Sequence, residues 1–174
     1  CTWPPPGFAN PREGFEEFQA SRESASPLVI NEVLVRNESL LPSYFYGTDD
    51  IVELKNVSEA EIWLGDFALS DRNTGMRCNL PDAVLQPGEL FVVFCCGEER
   101  TSAEERFYAP IALNSYEDQL YLYGPDGMPV DYMTLRQIPT GGSYGRMPDK
   151  NGFFYFSVPT PGEENQDGRR FISP

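Results

Sequence analysis

Ile51-Val52-Glu53-Leu54-Lys55-Asn56 is the stretch that decides the fold. Val52 and Leu54 share one face of an extended chain and Glu53 and Lys55 the other, the period of two expected of a half-buried antiparallel strand. Phe67 and Leu69 point inward in the same way in Phe67-Ala68-Leu69-Ser70, as do Leu120 and Leu122 in Leu120-Tyr121-Leu122-Tyr123. Leu90-Phe91-Val92-Val93-Phe94-Cys95-Cys96 is apolar throughout. Both of its faces therefore need cover, one from the core and the other from an end segment or a partner. Further short apolar runs at Leu28 to Arg36, Ile62 to Leu64, Met76 to Leu80, Val130 to Thr134 and Phe153 to Val158 supply enough strands for two packed sheets. The fold class read from this pattern is an all-β sandwich.

Turn chemistry between the runs agrees with it. In Gln86-Pro87-Gly88-Glu89 proline sets φ for the second turn position and glycine supplies positive φ at the third, a type II turn. Gly124-Pro125-Asp126-Gly127 reverses the chain between two strands as a hairpin, and Pro148-Asp149-Lys150-Asn151-Gly152 repeats the device. Thr140-Gly141-Gly142-Ser143 reads as another turn, without the lysine of a nucleotide loop.

Composition narrows the chemistry. The 174 residues contain no histidine, 13 basic and 27 acidic side chains, for a net charge of −14. Lacking histidine, the chain has neither the commonest general base near neutral pH nor any histidine-dependent nucleophile system or imidazole zinc site. The negative balance opposes binding to nucleic acid or anionic lipid. Lys55 and Lys150 are the only lysines, and no basic run exceeds Arg169-Arg170. No stretch reaches the roughly 20 apolar residues of a membrane-spanning helix.

Residues 1–26 differ in character from the remainder of the chain. Pro4-Pro5-Pro6 favours extended linker. Asn10-Pro11-Arg12-Glu13 offers an N-cap, a first-turn proline and a capping-box acid, so a short helix to about Glu23 is expected. Its Phe15 and Phe18 would pack on the main domain, a candidate cover for the outer face of Leu90 to Cys96.

From about Pro27 to Asn165, roughly four fifths of the chain, the order of motifs resembles the lamin-tail domain family. Val29-Ile30-Asn31-Glu32-Val33, Asp50-Ile51-Val52-Glu53-Leu54-Lys55-Asn56 and Leu64-Gly65-Asp66-Phe67-Ala68-Leu69-Ser70-Asp71 are similar to its opening strands. Leu85-Gln86-Pro87-Gly88-Glu89-Leu90 is similar to the turn before its central strand. Asp118 to Tyr123, Asp126-Gly127 and Val130-Asp131 are similar to its late hairpin. Ser143-Tyr144-Gly145-Arg146, Pro159-Thr160-Pro161-Gly162 and Asn165 are similar to its closing pattern. The resemblance implies an immunoglobulin-like β-sandwich over residues 27–166 that is not an enzyme, carries no cofactor, and serves as an interaction or tethering module. No coiled-coil heptads are present, which points to the bacterial version, found in exported, surface-associated multidomain proteins beside hydrolase or spore-coat-protein-H-like kinase domains. Expected partners are then a protein or cell-surface polymer and an adjacent domain in the same chain, with residues 167–174 as the linker to it. The expected location is extracellular or attached to the cell surface, and Cys1 is a candidate acylated residue of a lipoprotein. Arg36 to Asp50 and Gly97 to Phe107 depart from the family as longer, charged or aromatic connections, the places where a scaffold acquires its own specificity.

Four groups of residues are candidates for chemistry. Tyr44, Phe45 and Tyr46, with Trp63 near in sequence, form the cluster suited to stacking on a sugar face, so the rival reading is a carbohydrate-binding sandwich. Aromatics in such loops more often fold back to plug the core. Glu32 and Glu53 are the one conceivable acid and base pair of a hydrolase, which would need them to flank a cleft. The plainer alternative has Glu32 accepting hydrogen bonds where the first strand bends, and Glu53 on the outer face opposite Lys55 or an arginine. Asp49, Asp50, Asp66, Asp71, Asp126 and Asp131 suggest calcium, but without a D-x-D-x-D-G loop turn-capping is preferred and no metal is assigned. Cys78, Cys95 and Cys96 leave two possibilities, a bridge from Cys78 to one of the adjacent pair or thiols acting as small apolar side chains.

Overall fold

The computed structural model describes residues 26–35, 49–71, 77–97, 106–148 and 150–170. The expected N-terminal helix, Tyr44 to Tyr46 and Cys1 lie outside these residues. Twelve strands are present among the described residues: β1 (Leu28–Leu34), β2 (Asp50–Asn56), β3 (Ile62–Trp63), β4 (Ala68–Ser70), β5 (Cys78–Asn79), β6 (Val84–Leu85), β7 (Leu90–Cys95), β8 (Phe107–Ala109), β9 (Glu117–Tyr123), β10 (Pro129–Arg136), β11 (Ser143–Met147) and β12 (Lys150–Phe156). One 3-10 turn, Leu64–Asp66, follows β3. The fold is all-β. A six-stranded sheet, ordered β12-β11-β1-β2-β7-β8, faces a four-stranded sheet, ordered β10-β9-β4-β5, and β3 and β6 form a separate ribbon.

The alternating faces do what the sequence pattern requires. Val52, Leu54, Leu69, Leu120 and Leu122 are buried in one cluster shared by both sheets. Each such leucine, taken fully out of water, contributes roughly 1.5–3 kcal/mol of transfer free energy. In β7, Val93 and Cys95 join that core, while Phe94 turns to the opposite face and packs with Leu34 and Ile51. Burial pushes the Cys95 thiol well above its ordinary range, consistent with a neutral, apolar role. The turns hold as expected: Glu89 N–H donates to Gln86 O at 3.0 Å with Gly88 at φ 79°. Gly127 N–H donates to Gly124 O at 2.9 Å, and Met128 N–H donates to Asp126 Oδ1 at 3.0 Å.

Three strands are not expected from the sequence. β6 is two residues long and β8 lies at the edge of the charged stretch Gly97 to Phe107, where it runs parallel to β7. β11, Ser-Tyr-Gly-Arg-Met, has no apolar alternation, yet it pairs β1 on one side and β12 on the other. Its glycine is required there. A Cβ on Gly145 would sit 2.2 Å from Asn31 O and 2.8 Å from Glu32 Cα, both backbone atoms of β1. Gly145→Ala is therefore expected to lower unfolding free energy by about 1–3 kcal/mol through forced separation of the two strands, read as a reduced urea midpoint with an unchanged m-value. A midpoint equal to that of the parent would show that β1 and β11 part without cost. Beyond β12, Arg169, in the stretch read as linker, forms a single antiparallel bridge with Tyr155 through two backbone hydrogen bonds of 2.7 and 2.8 Å.

Candidate functional site

β1 is bent by a bulge between Ile30 and Glu32. That irregularity places Glu32 directly opposite Glu53 of β2, two carboxylates side by side in neighbouring strands. They are 1% and 0% exposed, respectively. The outward placement expected for Glu53 is thus overturned. It does lie on the face opposite Val52 and Leu54, but that face is covered by chain arriving more than a hundred residues later.

The covering segment is Pro159 to Asn165. Thr160 N–H donates to Glu32 Oε1 at 3.1 Å, and Gly162 N–H donates to Glu53 Oε2 at 2.5 Å. Asn31 Nδ2 donates to Glu53 Oε1 at 2.7 Å, and the Ser143 hydroxyl donates to Glu32 Oε1. Asn165 closes the arrangement: its Nδ2 donates to Arg146 O at 2.7 Å and Asn31 O at 3.1 Å, while its Oδ1 accepts from Thr160 Oγ1 at 3.0 Å. The two carboxylates act as a latch, holding the closing segment against β1 and β2 by its own backbone N–H groups.

Burial also costs the pair. Loss of hydration raises the pKa of Glu53 to about 7 against the downward pull of the Gly162 and Asn31 hydrogen bonds, with the Glu32 charge adding to the rise. Glu32 is raised by burial as well, opposed by its bonds from Ser143 and Thr160. Its Oε2 is buried and has no hydrogen-bond partner among the described residues. A carboxyl in that situation favours the protonated form.

Beside the latch lies an ion pair. Where the bulge ends the β1–β11 ladder, Ile30 N–H donates to Asp131 Oδ2 at 2.7 Å and Arg146 Nε donates to Ile30 O at 2.9 Å. Arg146 Nη2 donates to both oxygens of Asp131 at 2.9 and 3.1 Å. Asp131 belongs to β10 of one sheet and Arg146 to β11 of the other. The pair therefore takes the place of the missing ladder rung and ties the two sheets together.

The other sequence candidates have separate fates. Tyr44, Phe45 and Tyr46 lie outside the described residues, whereas Trp63 is 46% exposed. Of the aspartates weighed for calcium, Asp126 accepts from Met128 N–H at 3.0 Å and so caps its own turn, as expected. No group of three or more metal-ligating side chains occurs among the described residues. Cys96 Sγ approaches Ala109 O at 3.5 Å and Cys78 Sγ approaches Asn79 O at 3.8 Å. Among the described residues, no helix is long and apolar enough to cross a membrane.

No family model matches the chain. A search of curated proteins likewise finds no relative.

Asp131, read from the sequence as a turn-capping aspartate, is instead committed to Ile30 N–H and Arg146 across the two sheets, while Ser143, Arg146 and Asn165 stand out in the sequence only as parts of motifs, with no role attached. What marks Ser143, Arg146 and Asn165 is the clustering of small and polar residues where apolar periodicity weakens. That signal carries no address for the partner strand.

Proposed function

We propose that this chain is a non-catalytic interaction or tethering module of the lamin-tail type, with an immunoglobulin-like sandwich, carried by an exported, surface-associated multidomain bacterial protein. One observation carries the reading. Glu32 and Glu53, the pair considered for hydrolysis, are sealed from solvent and committed to backbone donors of the closing segment. A glycosidase pair must instead flank a substrate with room for water. In support of the family, residues that carry the resemblance in its opening, late-hairpin and closing motifs meet in this one network: Asn31, Glu32, Glu53, Asp131, Arg146 and Asn165.

Cells of the source organism, probed with an antibody against residues 27–166 before and after external protease, test the reading. Surface-exposed, protease-sensitive signal on a chain carrying a further domain is expected. Signal confined to the cytoplasm overturns it. So does polysaccharide hydrolysis by the purified chain that disappears in Glu53→Gln.

A further inference from the structure

The ribbon of β3 and β6 exposes one face. Ile62 pairs with Leu85 and both are buried, whereas Trp63 pairs with Val84 and these are 46% and 43% exposed. Directly opposite residues share a face, so the indole and the valine form a continuous apolar step on the surface. The indole is seated against backbone. A Cβ on Gly65 would fall 2.8 Å from Trp63 Nε1 and 2.5 Å from Asp82 Oδ1, so only glycine lets the ring edge and this carboxylate settle there together. The flanking loops are held in place by Asn56, whose Nδ2 donates to Ala60 O at 2.8 Å and Leu85 O at 3.0 Å.

The charge around this step is one-sided. Asp82 shares the Gly65 niche with the indole, Glu61 and Glu59 lie two and four residues before Trp63 in the chain, and all three are exposed. Among the described residues from Val57 to Glu89 the only basic side chain is Arg77. Arg77 is already occupied: its Nη1 donates to Gly127 O at 2.9 Å and its guanidinium lies 3.8 Å from the Tyr123 ring centroid. An exposed indole inside an acidic rim is complementary to a cation that stacks on the ring while neighbouring positive charges meet the carboxylates.

We propose that the Trp63–Val84 step with its Glu59, Glu61 and Asp82 rim docks a lysine- or arginine-rich extended segment of a partner protein. The inference rests on the interaction-module reading and assigns that module a surface and a partner class. Phosphate backbones and anionic lipid are repelled by the same rim. The cationic segment supplies what the face lacks, positive charge and a group to lie over the indole.

The test uses a twelve-residue peptide of alternating arginine and leucine, its glutamate counterpart, and isotope-labelled protein at low salt. Amide shifts confined to residues 57–66 and 82–89, seen with the arginine peptide and absent with the glutamate one, are expected. Trp63→Ala is expected to weaken binding about fivefold, and Glu59→Gln/Glu61→Gln/Asp82→Asn about tenfold. Glu117→Gln/Glu163→Gln/Glu164→Gln, which removes the same charge elsewhere, should change it less than twofold. Thermal melts of all variants check folding. Equal weakening by the two triple variants would reduce the effect to net charge and overturn the site. Shifts on a different surface would overturn this site while leaving the interaction-module reading standing. Absence of shifts at millimolar peptide would end the cationic-partner assignment, and the cell-surface experiment would still judge the module by itself.

Discussion

Asp131→Ala is expected to remove about 3–5 kcal/mol of stability, since breaking a buried ion pair from one side leaves the other charge poorly compensated. Two losses coincide. Arg146 keeps its guanidinium in a largely enclosed position, its side chain 16% exposed, and loses the carboxylate it grips there, while Ile30 N–H loses its acceptor at a bulge where no strand can replace it. Asp131→Asn retains an acceptor for Ile30 and should fall between the parent and the alanine variant. Replacing both partners by apolar residues, as in Asp131→Leu/Arg146→Met, should recover part of the loss, because the desolvation cost of the pair disappears with the pair. Urea unfolding of these proteins measures each loss, and adding the single variants Asp131→Leu and Arg146→Met closes the cycle that gives the coupling between the two sites. A loss below about 1 kcal/mol for the alanine variant would mean that the sheets are held without this bridge.

Stability should also fall as pH rises from about 4.5 to about 7, the reverse of ordinary acid denaturation. The native state holds a proton on Glu53 up to about pH 7, while the unfolded chain releases it near the ordinary 4.5. Where the native state binds more protons, raising the pH favours unfolding, and the effect levels off once both states have lost the proton. Stability from this group is thus fully present below pH 4.5 and lost by about pH 8. At 1.36 kcal/mol per pH unit, the interval corresponds to roughly 3 kcal/mol, and the raised Glu32 acts in the same direction. Urea midpoints between pH 4.5 and 8.5 should therefore decline. General repulsion among 27 acidic side chains has the same sign, so Glu53→Gln is the necessary comparison. Without a titrating group at position 53, the variant should be less stable at pH 5 and show a distinctly shallower decline. A variant that keeps the parent's full slope would assign the dependence to surface charge and refute the latch as its origin.

These two effects arise at the positions the sequence describes least well. The sandwich itself is legible, because Val52 and Leu54 or Leu120 and Leu122 announce their strands by a local period, and Gly88 and Gly127 announce turns by a backbone requirement. Local signals of this kind need no knowledge of the rest of the chain. Glu53 misleads for the same reason: its alternation gives the correct face, but whether that face meets water depends on Thr160 and Gly162, far along the chain. β11 is hidden because its sequence answers to contact with β1, where Gly145 must leave space for Asn31 O, instead of to a periodic apolar face. Glu32 shows the intermediate case. A hydrogen-bonding role at a bend is readable, whereas the identity of its donors, Ser143 and Thr160, is set by topology. Trp63 stands out in sequence only as a neighbour of the loop aromatics, since its exposure follows from pairing with Val84 in a strand too short to detect.

β1 lies between β2 and β11 in the middle of the larger sheet, and the Ser143–Glu32 bond spans 111 residues. During synthesis, the β1–β2 hairpin leaves the ribosome long before the strand that fills its other side. Its unpaired edge, buried in the finished molecule, stays open until β11 has been made, a period in which bare strand edges invite aggregation. The sheet is therefore complete only once β11 and the closing segment are available, and a nascent chain arrested before residue 165 is expected to remain dependent on a chaperone.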